Sequence, residues 1–164
     1  MSGWWPRKVR RFIRYVTGRV GDAERAGLRE WLNTDQMRLF LSMPRADQRH
    51  SLDVTSALAA AGHMDRELLL AGLLHDCGKG PMVGLWHRVA WSLGELLGEP
   101  VLRICGRLPG FSAAFERIVQ HAERSAVLAL AAGCSSRTAG LIRHQAAPMD
   151  PVHGEALRQA DEAH

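Results

Sequence analysis

Lysine is nearly absent from this chain: of 21 basic residues, only Lys8 and Lys79 are lysines and the rest are arginines. Tyrosine occurs once, as Tyr15. The three cysteines, Cys77, Cys105 and Cys134, stand far apart and form no CxxC. That argues against a disulfide framework or a cysteine-based zinc site and favours a reducing, cytoplasmic setting. Long apolar runs are missing as well. The longest, residues 126–132, falls well short of the roughly 18 residues a membrane span needs. The basic start leads into no apolar stretch of the kind that marks a secretory signal, so none is expected. β-branched residues are sparse and nothing alternates cleanly over six residues, which leaves little basis for strands.

What is present describes an ordinary globular chain. Its 164 residues suit one domain, and 46% hydrophobic with 23% charged residues is enough apolar material for a core. The formal charge is +4, but residues 1–20 alone hold six basic residues and no acid, so the remainder carries −2. The basic excess therefore belongs to an N-terminal arm, and dedicated nucleic-acid binding is not expected of the domain. Within the arm Trp5, Val9, Phe12, Ile13, Val16 and Val20 fall at helical spacing, with the basic residues opposite. Two readings of this amphipathic helix stand. Residues 4–20 make a weak contact with an anionic membrane surface, or the stripe docks on the domain, the commoner arrangement.

Helical periodicity accounts for nearly every segment. Caps and breakers place helices at about 22–31, 34–43, 45–62, 66–76, 83–97, 109–133, 135–145 and 151–164. The class is all-α, a single helical bundle. Several catalytic motifs fail. Gly78-Lys79-Gly80 is not a phosphate-binding loop, because five residues separate Gly72 from Gly78 and Gly80 stands where a hydroxyl must bind magnesium. Cys77 lies beside His75 and Asp76, but no third group marks it as a nucleophile, and a small apolar filler is the simpler role.

His75-Asp76 ends a run of leucines, 68–70, 73 and 74, that reads as a buried helix. Burying an imidazole and a carboxylate there is costly unless they are paired or bound to a metal. Adjacent nitrogen and oxygen donors suit a divalent transition ion. Lys79, the only lysine outside the arm, follows three residues later and can reach a phosphate oxygen as a point charge.

The order His50, His75-Asp76, His121, His144, Asp161 resembles the HD-domain superfamily of metal-dependent phosphohydrolases. The contexts match too: Arg49-His50-Ser51, Leu74-His75-Asp76-Cys77-Gly78-Lys79, His121-Ala122-Glu123, Arg143-His144 and Ala160-Asp161. The resemblance covers residues 45–162. It implies an HD domain over 44–164, with 1–43 as a helical arm packed on it. It also implies that His50, His75, Asp76 and Asp161 surround one ion. His121 and His144 would hold a second ion, bridged by Asp76. The cofactor would be one or two divalent ions drawn from Mn, Fe, Co, Ni, Mg or Zn.

The implied activity is hydrolysis of a phosphate ester or anhydride by a metal-activated water. Asp76 and Lys79 would be catalytic, Lys79 would bind the substrate phosphate, and the substrate would be a small phosphorylated molecule, a nucleotide by preference. Some binuclear relatives carry His-His where this chain has His144-Gln145. The chain lacks the acidic continuation of guanosine tetraphosphate hydrolases and the Gly-Tyr-Pro signature of cyclic di-GMP phosphodiesterases. Two other readings share the scaffold: a di-iron oxygenase using the same six ligands, and a degenerate HD module that only binds a nucleotide.

Overall fold

The computed structural model describes residues 18–164. Most of the expected amphipathic arm, residues 1–17, lies outside them. Among the described residues there are nine α-helices, one 3₁₀ turn and no strand. The helices are α1 (Asp22–Trp31), α2 (Thr34–Ser42), α3 (Arg45–Ala60), α4 (Arg66–Leu74), α5 (Leu85–Leu97), α6 (Glu99–Cys105), α7 (Phe111–Ala131), α8 (Ser136–Arg143) and α9 (His153–Ala163), with the turn at Cys77–Lys79 after α4. None is long and apolar enough to cross a membrane.

Local chemistry explains where the helices begin. The Asp65 carboxylate accepts from the Leu68 N–H, and the Ser135 hydroxyl accepts from the Thr138 N–H, so both are true N-caps. At α2 the cap is Asn33 rather than Thr34: its side chain accepts from the Gln36 N–H, while Gln36 reaches back to the Asn33 N–H. At α9, Pro151 precedes the helix and Asp150 supplies the acceptor for the Val152 and His153 N–H groups. A separate helix, α6, interrupts what reads as a loop. Pro100 sits in its first turn, where a missing N–H costs nothing, and so starts a helix rather than only ending one.

The arrangement is centred on α4. Leu68, Leu70, Ala71, Gly72, Leu73 and Leu74 are all buried, as expected of a helix that is apolar on every side. It packs against α2, α3, α8 and α9. Gly72 permits the close approach of α3, since a Cβ there would lie 2.9 Å from Leu58 Cδ1. Residues 18–43 share this core: Val20, Leu28, Leu32, Met37, Phe40 and Met43 belong to the same buried cluster as Leu73, Ile142 and Leu157.

α4 ends at Leu74, two residues earlier than its leucine pattern suggests. His75, Asp76 and the 3₁₀ turn then lie directly on α7. Gly78 makes this possible by its lack of a side chain. A Cβ at that position would sit 2.4 Å from the His121 carbonyl oxygen and 2.6 Å from the Ser125 nitrogen, both backbone atoms. Its own N–H donates to the buried Ser125 hydroxyl at 2.8 Å. Gly78 is thus a contact surface that seats the turn on α7.

Gly78→Ala is expected to destabilise the protein by about 1–3 kcal/mol or more, because backbone cannot move aside as a side chain can. Gly27→Ala, on the exposed face of α1 with nothing within 4 Å of the added carbon, should instead stabilise by roughly 0.5–1 kcal/mol. Thermal or urea melts of the two variants check the contrast.

Candidate metal centre

The C-terminal end of α4 delivers two polar side chains into the interior, His75 at 1% and Asp76 at 2% exposure. The His75 Nδ1–H donates to the Gly72 carbonyl one turn back, at 2.9 Å, which leaves Nε2 as the free face of the ring. That nitrogen is buried and has no hydrogen-bond partner among the described residues. It lies 3.6 Å from Asp76 Oδ1 and 3.6 Å from Asp161 Oδ1. From α3, His50 brings its Nε2 to 2.9 Å from Asp161 Oδ1 and 3.9 Å from Asp76 Oδ2. The His50 and His75 rings meet edge to face with centroids 5.2 Å apart. Ligand atoms of His50, His75 and Asp76 all fall within 4.8 Å of one another, a group able to hold a metal ion.

Two further groups complete the surroundings of Asp76. Lys79 Nζ pairs with Oδ2 at 2.5 Å, one turn along the same segment. His121, from the middle of α7, places Nε2 3.5 Å from Oδ1. Its Nδ1–H donates to the Ile118 carbonyl, and its Nε2 accepts from the Gln145 amide at 3.1 Å.

These contacts set the charge states. Burial pushes the Asp76 carboxyl up, but Lys79, His75, His50 and His121 outweigh it and hold the group ionised, well below the usual carboxylate range. Asp161 follows the same pattern, with burial opposed by His50 and His75. Burial lowers His75, yet the Asp76 and Asp161 carboxylates override it and raise the imidazole to about 9. Burial lowers His50 and His121, and the neighbouring carboxylates do not restore them.

Of the residues expected in the site, His50, His75, Asp76, His121, Asp161 and Lys79 come together. His144 does not join them. It is the C-cap of α8, and it lines an outer cavity of about 480 Å³ with Arg137, Met149 and Asp150. Among the described residues no hydrogen bond or ion pair links its ring to the cluster. The next residue takes the inward direction: Gln145 is 6% exposed and its amide donates toward His121 Nε2 and the His75 carbonyl. His153 pairs with Arg137 instead of the cluster. Burial pushes the Cys77 thiol up to about 12, so it is no thiolate nucleophile.

One neighbouring pair was not legible as such. Asp47, one turn before His50, is fully buried and binds Arg88 Nη2 at 2.6 Å. In the fold Asp53 takes Arg49, Asp47 takes Arg88, and His50 takes Asp161. Asp47 can be picked out by its i,i+3 spacing from His50, but Arg88 carries no local signal.

The donors fit a divalent transition ion. Two imidazole nitrogens and two carboxylates are a mixed borderline set, and the carboxylate charges balance such an ion. Among the described residues, His75 Nε2 within this set, and Asp47 Oδ1 and Gln145 Oε1 on residues beside it, are buried side-chain atoms without a hydrogen-bond partner. Orphaned polar atoms of this kind call for an ion, water or ligand. No family model matches the chain, and no curated protein or solved structure matches it.

The titration directions predict how metal-free protein responds to pH. The raised His75 stabilises fully below its ordinary value of 6.5, and that contribution is lost as pH climbs toward about 9. The lowered Asp76 and Asp161 stabilise above the ordinary 3.8 and lose their contribution on acidification. The lowered His50 and His121 stabilise above their ordinary 6.5 and lose that contribution as pH falls below it. Melting temperatures of chelator-treated protein should therefore peak at about pH 6.5 and fall on both sides, by several degrees toward pH 9. A steady rise on the alkaline side would contradict the pairing of His75 with both carboxylates.

Proposed function

We propose that this protein is a metal-dependent phosphohydrolase of the HD type, acting on a small phosphorylated molecule through a divalent ion held by His50, His75, Asp76 and Asp161. One observation carries the reading. The buried His75 Nε2 has no hydrogen-bond partner among the described residues, and it converges on Asp76 and Asp161 with His50 beside it. A structural histidine at this depth would use both ring nitrogens. A ligating one keeps the second nitrogen for the ion and anchors the first on a backbone carbonyl, as His75 does on Gly72.

Charge favours an anionic substrate. The Asp76 and Asp161 carboxylates offset the two charges of the ion, and Lys79 leaves one positive charge over. Lys79 is only 17% exposed and is held against Asp76, so its ammonium is pre-positioned at the edge of the site. There it can accompany a phosphoryl oxygen. His121 stands on the other side of Asp76 as a neutral imidazole. When bound, the ion supplies Lewis acidity for phosphoryl oxygens and lowers the pKa of an attacking water. The resemblance of the His and Asp order to HD-type phosphohydrolases makes a nucleotide the preferred substrate class.

The test joins elemental analysis to a hydrolysis screen of nucleoside phosphates with manganese, iron and cobalt. Asp76→Asn should lower metal affinity by more than about 100-fold and abolish hydrolysis while the helical circular dichroism persists. Lys79→Ala should keep its metal and lose about 10–100-fold in kcat/KM, mainly through KM. Full metal content in Asp76→Asn would remove the site assignment.

A further inference from the structure

We propose that Gln145 restricts this centre to a single ion, by occupying the lone pair through which His121 would bind a second one. The inference rests on the metal-centre reading above and concerns what the chain's own residues do to it. His75 and His121 are anchored alike. Each donates its Nδ1–H to a backbone carbonyl three residues earlier, Gly72 for the first and Ile118 for the second. Each therefore directs its Nε2 toward Asp76 Oδ1, at 3.6 and 3.5 Å. By anchoring and distance from the carboxylate they are equivalent candidates for ligands.

They differ in what meets the lone pair. His75 Nε2 is buried with no hydrogen-bond partner among the described residues, whereas His121 Nε2 receives the Gln145 amide at 3.1 Å. The orientation of that amide follows from its second contact. The same nitrogen lies 3.4 Å from the His75 carbonyl oxygen, which can only accept. Reversing the amide would set its oxygen against that carbonyl and turn a hydrogen bond into a repulsion. Gln145 is thus a buried clamp that donates to both histidine residues at once, through the backbone of one and the ring of the other. It closes His121 and leaves the His75 ring open.

No replacement donor stands nearby. The adjacent His144 lines the outer cavity with Arg137 and Met149, and among the described residues no hydrogen bond or ion pair links its ring to the cluster. A second ion at Asp76 Oδ1 would have to break the Gln145–His121 bond and strand a buried amide. Gln145 is accordingly a positioning residue. It keeps His121 neutral, fixed in one tautomer and beside the ion rather than bound to it.

The experiment counts ions on the full chain after chelator treatment, using manganese titration with calorimetry, elemental analysis and electron paramagnetic resonance. The parent protein should bind one manganese per chain and give the spectrum of an isolated ion. Gln145→His should bind two and show a spin-coupled pair. Adding His121→Ala to that variant should return the count to one, while His121→Ala alone should leave it at one. Should Gln145→His fail to fold, Gln145→Ala serves instead: it frees the His121 lone pair and should add a weaker second binding step that His121→Ala removes. Two ions in the parent would overturn the proposal, as would a count still at one in folded Gln145→His. No ion in the parent would overturn the metal-centre reading itself, a result distinct from either.

Discussion

Asp76 keeps a full negative charge where almost no solvent reaches it, and the surrounding helices are arranged around that requirement. An isolated carboxylate in such a place would cost many kilocalories and would protonate instead. Here four cationic or ionisable side chains surround it, drawn from three separate parts of the chain: His50 from α3, His75 and Lys79 from its own turn, and His121 from α7. The stability of the charge is therefore a property of how α3, α4 and α7 pack, not of any one of them. Asp161 on α9 extends the set by taking His50 and facing His75.

Packing and chemistry meet at the turn after α4. The absence of a side chain at Gly78 lets the turn rest on the α7 backbone at the level of His121 and Ser125. That contact sets Asp76 beside the His121 ring, with Oδ1 3.5 Å from Nε2. Behind it, the all-round burial of α4 fixes the depth at which His75 and Asp76 emerge. α5 and α6 contribute differently. They pack on each other and leave Trp86, Leu96, Leu97 and Ile104 exposed, yet Arg88 from α5 returns to neutralise Asp47 beneath His50.

Much of this was readable along the chain wherever the determinant is local. Asp65 and Ser135 cap helices through bonds to residues three positions on, and such bonds need nothing from the rest of the molecule. The leucines at 68–70, 73 and 74 mark a buried helix because apolarity on every face has no other stable use. Reading was less secure at ends and junctions. Pro100 can stop a helix or start one, and only the geometry after Gly98 decides. α4 stops before His75 because the turn that follows is held on α7, a contact residues 66–76 do not encode by themselves.

The sequence by itself determined the all-α class, the buried character of α4 and the order in which histidines and aspartates occur. Those follow from periodicity, capping and composition, which act within a few residues. Only the tertiary structure decided which donors share a site. It turned Gln145 inward and His144 outward, although the two are neighbours and His144 is the more obvious ligand. It also paired Asp47 with Arg88, 41 positions away, and His50 with Asp161, 111 positions away. The physical reason is that a side chain's partner depends on how whole helices are placed against one another. That placement is set by contacts such as Gly72 on α3 and Gly78 on α7, whose other halves lie elsewhere in the chain.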